Sequence, residues 1–433
     1  MLETLLSLIT APSLAFLPAL LLYPLLALAV TRLLNPGRRY GAVPFAVVNL
    51  LGAFFLCSLA CQAALKANYP GPATLEAGAA SFAAYIVFVL AAYVLLKRSK
   101  KNGGAWINAA LWTPILILVC IKYLPIYDTL HLSPGAARLI PNPALVFVGL
   151  SYLSFRLTYL VQEVQNDVVP MPNVWDYLSF AFFAPTLTVG PISPYRLFIG
   201  SLRTPDRTAT PIGVSLQRIA VGLAKYVFFS TLLSQLCYRS LLLDGHPHAK
   251  IDLVVAILVY PLYLYCNFSG LCDVVIGVAG IMGIAVMENF DRPFTSRNFQ
   301  VFWSRWHISL STFMRDMMFT PLVKFLAARL GPKNINHAVA MAILSVFLVI
   351  GVWHGAGAHF ALFGLSQGLG VAAVHYATIF MKKRLGKKGF IAYQNNRLIY
   401  VAACACTYLY FALTMILFAN TLDDIAKIIS VLT

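Results

Sequence analysis

The sequence predicts an all-α polytopic membrane protein with about ten to twelve transmembrane helices and additional re-entrant or broken ones. Three observations lead there. The 433-residue chain is 60% hydrophobic and only 11% charged, where soluble domains are roughly a quarter charged. Apolar runs long enough to cross a bilayer, roughly 20 residues each, recur along its length. The basic residues, which give a net charge of +17, fall in short clusters between those runs.

In chain order the runs are Leu14–Val30, Ala42–Leu65, Ala80–Leu96, Ala105–Ile121, Pro143–Val161, Val254–Cys266, Ala338–Val352, Phe360–Phe380 and Ile399–Phe418. The basic clusters are Arg32, Arg38 and Arg39, then Lys97, Arg98, Lys100 and Lys101, then Lys382, Lys383, Arg384, Lys387 and Lys388. The positive-inside rule assigns them to the cytoplasm. Gln162–Asn173, Glu288–Gln300 and the stretch near Lys333 are then inside. Met1–Pro12, the Tyr69–Glu76 and Asp128–Asn142 loops and Trp353–His359 lie towards the outside. No linker and no fixed-period repeat divides the chain, so residues 1–433 read as a single membrane-embedded domain. The first run lacks a basic region before it and reads as a span, not a cleavable signal.

The net charge carries no recognition motif with it, which argues against nucleic acid as a partner. A basic cytoplasmic face suits an acidic soluble partner. The eight cysteines lie mostly inside apolar runs without a paired Cys-x-x-Cys, and read as small apolar fillers. Phe180–Pro194 carries Pro185, Gly190, Pro191 and Pro194. Proline removes a backbone donor, and carbonyls freed in lipid must find partners, so this segment reads as a broken helix enclosed by protein or lining a cavity.

Ionisable residues inside a membrane protein are functional candidates by default. Phe302–Asp316, FWSRWHISLSTFMRD, holds Arg305, His307, Arg315 and Asp316. At helical spacing Trp303, His307 and Ser311 share a face. His307 reads equally as a hydrogen-bonded structural group or a functional one. Val352–Phe360, VWHGAGAHF, holds Trp353 and His354, followed by small residues that permit close approach. It contains no Asp or Glu, so any proton transfer there falls to His354. A zinc site from His354 and His359 lacks a third ligand, and no metal is expected. His131, His246, His248 and His337 read as loop residues, and His375 as a satisfied intramembrane group. In Tyr263–Gly283, Asn267, Ser269 and Asp273 read first as groups that cap and join broken helices. Gly270, Gly277, Gly280 and Gly283 read as sites of close helix packing.

Several motifs in one order resemble the membrane-bound O-acyltransferase family. They are GLSYLSFRLTYLVQE, APTLTVGPISPYRLF, NFSGLCDVVIGVAGIMGIAVMENFDRPFTSRNFQVFWSRWHISLSTFMRD and VWHGAGAHFALFGLSQG. The resemblance is strong over residues 145–375, the motif-bearing core. It looks nearest to the bacterial D-alanyl transferases of teichoic acid, with the alginate and peptidoglycan O-acetyltransferases close by. The resemblance implies a fold with a central tunnel. It aligns His354 with the family's general base and His307 with its second site residue. Trp303, Trp353, Arg305, Ser311, Arg315, Asp316, Asn267, Ser269 and Asp273 become candidate tunnel or substrate-lining residues. Asn267 stands where the family commonly has aspartate, which keeps a hydrogen bond and loses a charge. The implied donor is a phosphopantetheine thioester on an acidic acyl carrier protein, or acyl-coenzyme A. The implied acceptor is an extracytoplasmic polymer, or an accessory transferase, at a bacterial cytoplasmic membrane. A multi-span transporter is the rival of another class, since transporters also use interrupted helices. The chain shows neither duplicated broken segments nor paired acids for ion coupling.

Overall fold

The computed structural model describes residues 23, 25–27, 41–64, 72–124, 149–187, 189–203, 210–243 and 246–432. In chain order its helices are α1 (Ala42–Ala64), α2 (Pro72–Asn102), α3 (Ala105–Tyr123), α4 (Leu150–Gln165), α5 (Val174–Ala181), α6 (Tyr195–Arg203) and α7 (Ile212–Leu223). Then come α8 (Ser230–Ser234), α9 (Tyr238–Leu241), α10 (Lys250–Ile281), α11 (Phe299–Arg305), α12 (Ile308–Met314) and α13 (Thr320–Leu330). The last are α14 (Ile335–His354), α15 (Ala358–Asn395), α16 (Arg397–Thr414), α17 (Ile416–Ala419) and α18 (Leu422–Ser430). Among the described residues there is no named strand, only two isolated bridges. Helix is the form in which a segment satisfies its own backbone in lipid.

Eight helical segments among the described residues are long and apolar enough to cross a membrane: Ala42–Leu59, Leu75–Asn102, Ala105–Tyr123, Ile212–Leu241, Lys250–Ile281, Pro332–His354, Ala358–Asn395 and Arg397–Ala419. The protein is therefore a multi-pass membrane protein. Most of the run expected over Leu14–Val30, the Arg32, Arg38 and Arg39 cluster, His131, the Asp128–Asn142 loop and the start of Pro143–Val161 lie outside the described residues. Of the loop expected over Tyr69–Glu76, the part from Pro72 onwards is already helix. Proline suits that first helical position, where its missing N–H is no loss.

The chain divides into two compact units, Met1–Val221 with Cys272–Met287, and Gly222–Leu271 with Glu288–Thr433. In the first unit α1, α2, α3 and α4 pack as successive neighbours. Lys100 on α2 donates to the Val164 carbonyl at 3.1 Å and pairs with Asp167 at 2.5 Å. Gln165 donates to Ser99 at 2.9 Å. These bonds join one end of α2 to one end of α4. Val87 and Leu116, 68% and 57% exposed, face outward, as lipid-facing side chains should.

The interruption expected within Phe180–Pro194 is present. Helix stops at Ala181, and a 3₁₀ turn, Ala184–Thr186, follows. Arg156 of α4, fully buried, takes up its free carbonyls. It donates to Thr186 O at 3.2 Å, Thr186 Oγ1 at 2.8 Å, Ala181 O at 2.9 Å and Phe180 O. Its guanidinium lies 5.1 Å from the Phe180 ring centre.

The second unit contains α8, α9, most of α10 and α11–α18. Here α14 and α15 pack most intimately. A Cβ on Gly351 would strike the Phe360 carbonyl and the Gly364 backbone. α15 changes direction at Gly386, whose φ of +62° only glycine takes up readily. The amphipathic α18 docks through Ile428 against Tyr238, Leu242 and Ala256. A capping box between Thr421 and Asp424 starts it.

The expectation that Asn267, Ser269 and Asp273 join broken helices is overturned. α10 runs unbroken through all three. Its glycines are there for packing: Gly270 meets the Gly222 carbonyl and Tyr226 N–H, Gly277 meets Ser215 and Ile219, and Gly280 meets Ser215. Gly283 instead ends the helix region with φ +72°.

Candidate functional site

Phe302–Asp316 is not one helix, which corrects the shared face expected of Trp303, His307 and Ser311. α11 ends at Arg305, and α12 begins at Ile308. His307, between them, is left-handed at φ +47°, ψ +53°. A non-glycine residue in that region is strained, and such strain persists only where its surroundings enforce it. Here they do. The Asn289 carbonyl accepts from the Ile308 N–H at 3.0 Å. Asn289 Oδ1 accepts from the Ser309 N–H at 3.1 Å and the Ser309 hydroxyl at 2.7 Å. The Asp291 N–H donates to the Arg305 carbonyl at 3.0 Å, and Phe290 bridges Trp306.

The turn puts His307 in the interior, 5% exposed. Its ring meets Phe268 of α10 edge-on at 4.8 Å. Its Nδ1 is buried without a hydrogen-bond partner, as are Trp303 Nε1 and Ser269 Oγ. Buried polar atoms left in this state cost free energy and call for an explanation. Burial, and then the nearby His354, hold His307 below the usual histidine range. His354 is thus close enough for the charge on one imidazole to oppose protonation of the other.

His354 is the last residue of α14. Aromatic rings surround it: Trp353 at 4.7 Å, Phe418 at 5.0 Å edge-on, Phe363 at 6.2 Å and Phe360 at 6.4 Å. The side chain is only half-buried. The small residues after it serve this wall, because a Cβ on Gly355 would strike the Phe360 ring.

The other sequence candidates separate into two groups. Trp303 stacks edge-on with Phe347 of α14 at 5.0 Å. The Ser311 N–H donates to the His307 carbonyl at 3.0 Å. Trp353 flanks His354, while Asn267 and Ser269 adjoin Phe268 on α10. The rest are engaged elsewhere. Arg305 donates to Thr295 Oγ1 at 3.2 Å. Arg315 pairs with its neighbour Asp316 at 3.1 Å within a π turn, Arg315–Phe319. Asp273 belongs to the first unit, where Arg218 holds it at 3.0 Å. Sequence reasoning missed Asn289, Phe268 and Phe418. An asparagine within the quoted MENFDRPF motif was the one available signal. Among the described residues no group of three or more His, Cys, Asp or Glu could hold a metal ion.

A family model described as the membrane-bound O-acyltransferase family matches residues 9–418. The teichoic acid D-alanyltransferase of Bacillus subtilis is 30% identical over 66% of this chain and 71% of its own length. That of Streptococcus thermophilus is 30% identical over 65% of this chain and 70% of its own. A Pseudomonas aeruginosa protein named "Probable alginate O-acetylase AlgI" is 26% identical over 63% of this chain and 52% of its own.

Proposed function

The chain belongs to the membrane-bound O-acyltransferase family, and from that premise we propose that it moves a D-alanyl group from a cytoplasmic phosphopantetheine thioester to a hydroxyl of a cell-envelope polymer, across a bacterial cytoplasmic membrane. The observation that carries the reading is a pair of histidines 47 residues apart, near enough for His354 to weigh on the protonation of His307. One closes a helix inside an aromatic wall, and the other is forced into a strained turn with an unpartnered ring nitrogen.

In the proposed reaction His354 takes the proton of the acceptor hydroxyl. The oxygen attacks the thioester carbonyl, a C–O bond forms and the C–S bond breaks. The sulfur leaves as a thiolate, a good leaving group that takes the proton back from the imidazolium. Buried N–H donors stabilise negative charge developing on the carbonyl oxygen most effectively when fixed in advance. His307 and Trp303 are the donors this site offers. The positive-inside assignment puts the basic clusters on the donor's side, where they suit an acidic carrier protein. Acyl-coenzyme A presents the same thioester arm. Similarity to the P. aeruginosa protein favours a second reading, acetyl transfer to an exported polysaccharide.

The deciding experiment is transfer by purified protein in liposomes. Radiolabelled D-alanyl carrier protein and radiolabelled acetyl-coenzyme A are offered separately to wild type and His354→Ala. Label moving from the D-alanyl carrier to a hydroxyl acceptor, and lost in the variant, is the expected result. Label moving only from acetyl-coenzyme A selects the second reading. Counterflow of a solute without acyl transfer would sink both and favour a transporter.

A further inference from the structure

Arg297 lies just before α11, at the opposite end of that helix from His307. Its guanidinium faces the rings of Tyr393 and Tyr400, each 6.0 Å from the ring centre. Tyr393 comes from the part of α15 beyond the Gly386 bend, and Tyr400 from the first turn of α16. The Tyr400 hydroxyl donates to the Thr295 carbonyl at 2.7 Å, which fixes one ring against the Arg297 loop. Yet Arg297 Nη2 is buried and has no hydrogen-bond partner. Among the described residues no carboxylate pairs with Arg297 either. Arg156 also keeps one buried nitrogen, Nε, without a partner, but its two terminal nitrogens both find carbonyl oxygens.

A guanidinium held by two rings, with a buried N–H unused, is prepared for an anion. Its planar fork suits phosphate and carboxylate oxygens, and it stacks on aromatic faces without losing its charge. The neighbouring bend carries Lys382, Lys383, Arg384, Lys387 and Lys388, a local field that concentrates anions. The seven residues of α11 separate this point from His307 by roughly 10 Å at the helical rise, less than the reach of an extended phosphopantetheine arm.

We propose that Arg297 binds the phosphate of the thioester donor and thereby sets how far the arm enters towards His307 and His354. The proposal rests on the phosphopantetheine reading above, so its test is built to fail separately from it. Acyl-phosphopantetheine and acyl-pantetheine differ by the phosphate alone. Binding of each to purified protein is measured by calorimetry, and transfer from each is measured in liposomes. Wild type should bind the phosphorylated form about tenfold to a hundredfold more tightly, the worth of a charge-assisted hydrogen bond. In Arg297→Gln that preference should collapse towards one, and Arg297→Lys should keep part of it. A thermal melt of each variant shows whether it folds.

A folded Arg297→Gln with the wild-type preference overturns the proposal and leaves the reaction standing. Preference without transfer in wild type overturns the reaction while the phosphate site stands. A wild type blind to the phosphate overturns the proposal too. If the activity of that wild type then responds to phosphatidylglycerol in the liposomes, and Arg297→Gln removes the response, the anion is a lipid headgroup.

Discussion

Two interruptions of helix, one in each unit, are handled in opposite ways. In the first unit, the break after Ala181 frees backbone carbonyls, and Arg156 takes up three of them along with the Thr186 hydroxyl. In the second unit, the break at His307 has its backbone pinned by Asn289, but the side chains it presents are left wanting. His307 Nδ1 and Trp303 Nε1 are buried with nothing to bond to. The first break has its carbonyls satisfied, although Arg156 Nε and Ser179 Oγ there are also buried without partners. The second leaves unbonded the ring nitrogens of two candidate site residues. Buried polar groups are satisfied by default, so on the proposed function the second break is the site and the first is its scaffold.

The contrast can be broken by experiment, and the largest effect should fall on the reaction. His307→Gly can adopt the left-handed turn at no steric cost, so it should keep the fold. It should still lower transfer by about 10²–10³-fold if the imidazole stabilises the reacting oxygen. Equal losses of melting temperature and activity would place His307 with Arg156 as structure. Arg156→Met should do the reverse. It strips the buried Ala181 and Thr186 carbonyls of their side-chain donor, at about 1–3 kcal/mol for each unsatisfied group. The melting temperature in detergent should fall steeply, with activity lost only in proportion to folded protein.

Gly351→Ala sharpens the comparison with a smaller change. Its new methyl would meet backbone on α15, and overpacking of this kind costs about 1–3 kcal/mol. Because the strain lands on the helix that ends in His354, transfer should fall more than stability does. The smallest effect concerns α18. The Thr421 hydroxyl, first among several causes, holds the Asp424 carboxyl below the usual carboxylate range. A carboxyl lowered by folding stabilises the fold above its unfolded value, roughly 3.9, and that contribution is lost as the pH falls through the lowered one. Amide exchange in α18 should therefore quicken only in acid below about pH 4. Asp424→Asn should quicken it at neutral pH as well, leaving His307 and its neighbours unchanged.

Much of this was legible in the sequence, and the exceptions have a physical pattern. The spans were readable because lipid demands long apolar runs. Phe180–Pro194 was readable because proline announces a break. Both histidines were visible because an ionisable residue in apolar sequence is expensive. The break at His307 carried no such mark. No glycine or proline stands there, and the turn is imposed by Asn289, 18 residues earlier. In the opposite direction, Asn267, Ser269 and Asp273 suggested an interruption in α10 that does not exist. Gly270, Gly277 and Gly280, read as packing positions, do lie against neighbouring segments. Arg156 was quoted within a motif without its partners, since nothing local connects it to carbonyls 24 to 30 residues away.

The backbone contact of Gly351 with Gly364 has one more consequence. Two helices touching at their main chains cannot slide or part without opening a gap, so on the proposed reaction the end of α14 that carries His354 has little freedom to accommodate a bulkier acyl group. Phe418 reaches the same imidazole from α17, a four-residue helix with no such clasp. For anyone reshaping this catalyst for a larger cargo, the immovable side of the chamber is the glycine pair. Phe418 is the wall to cut back first.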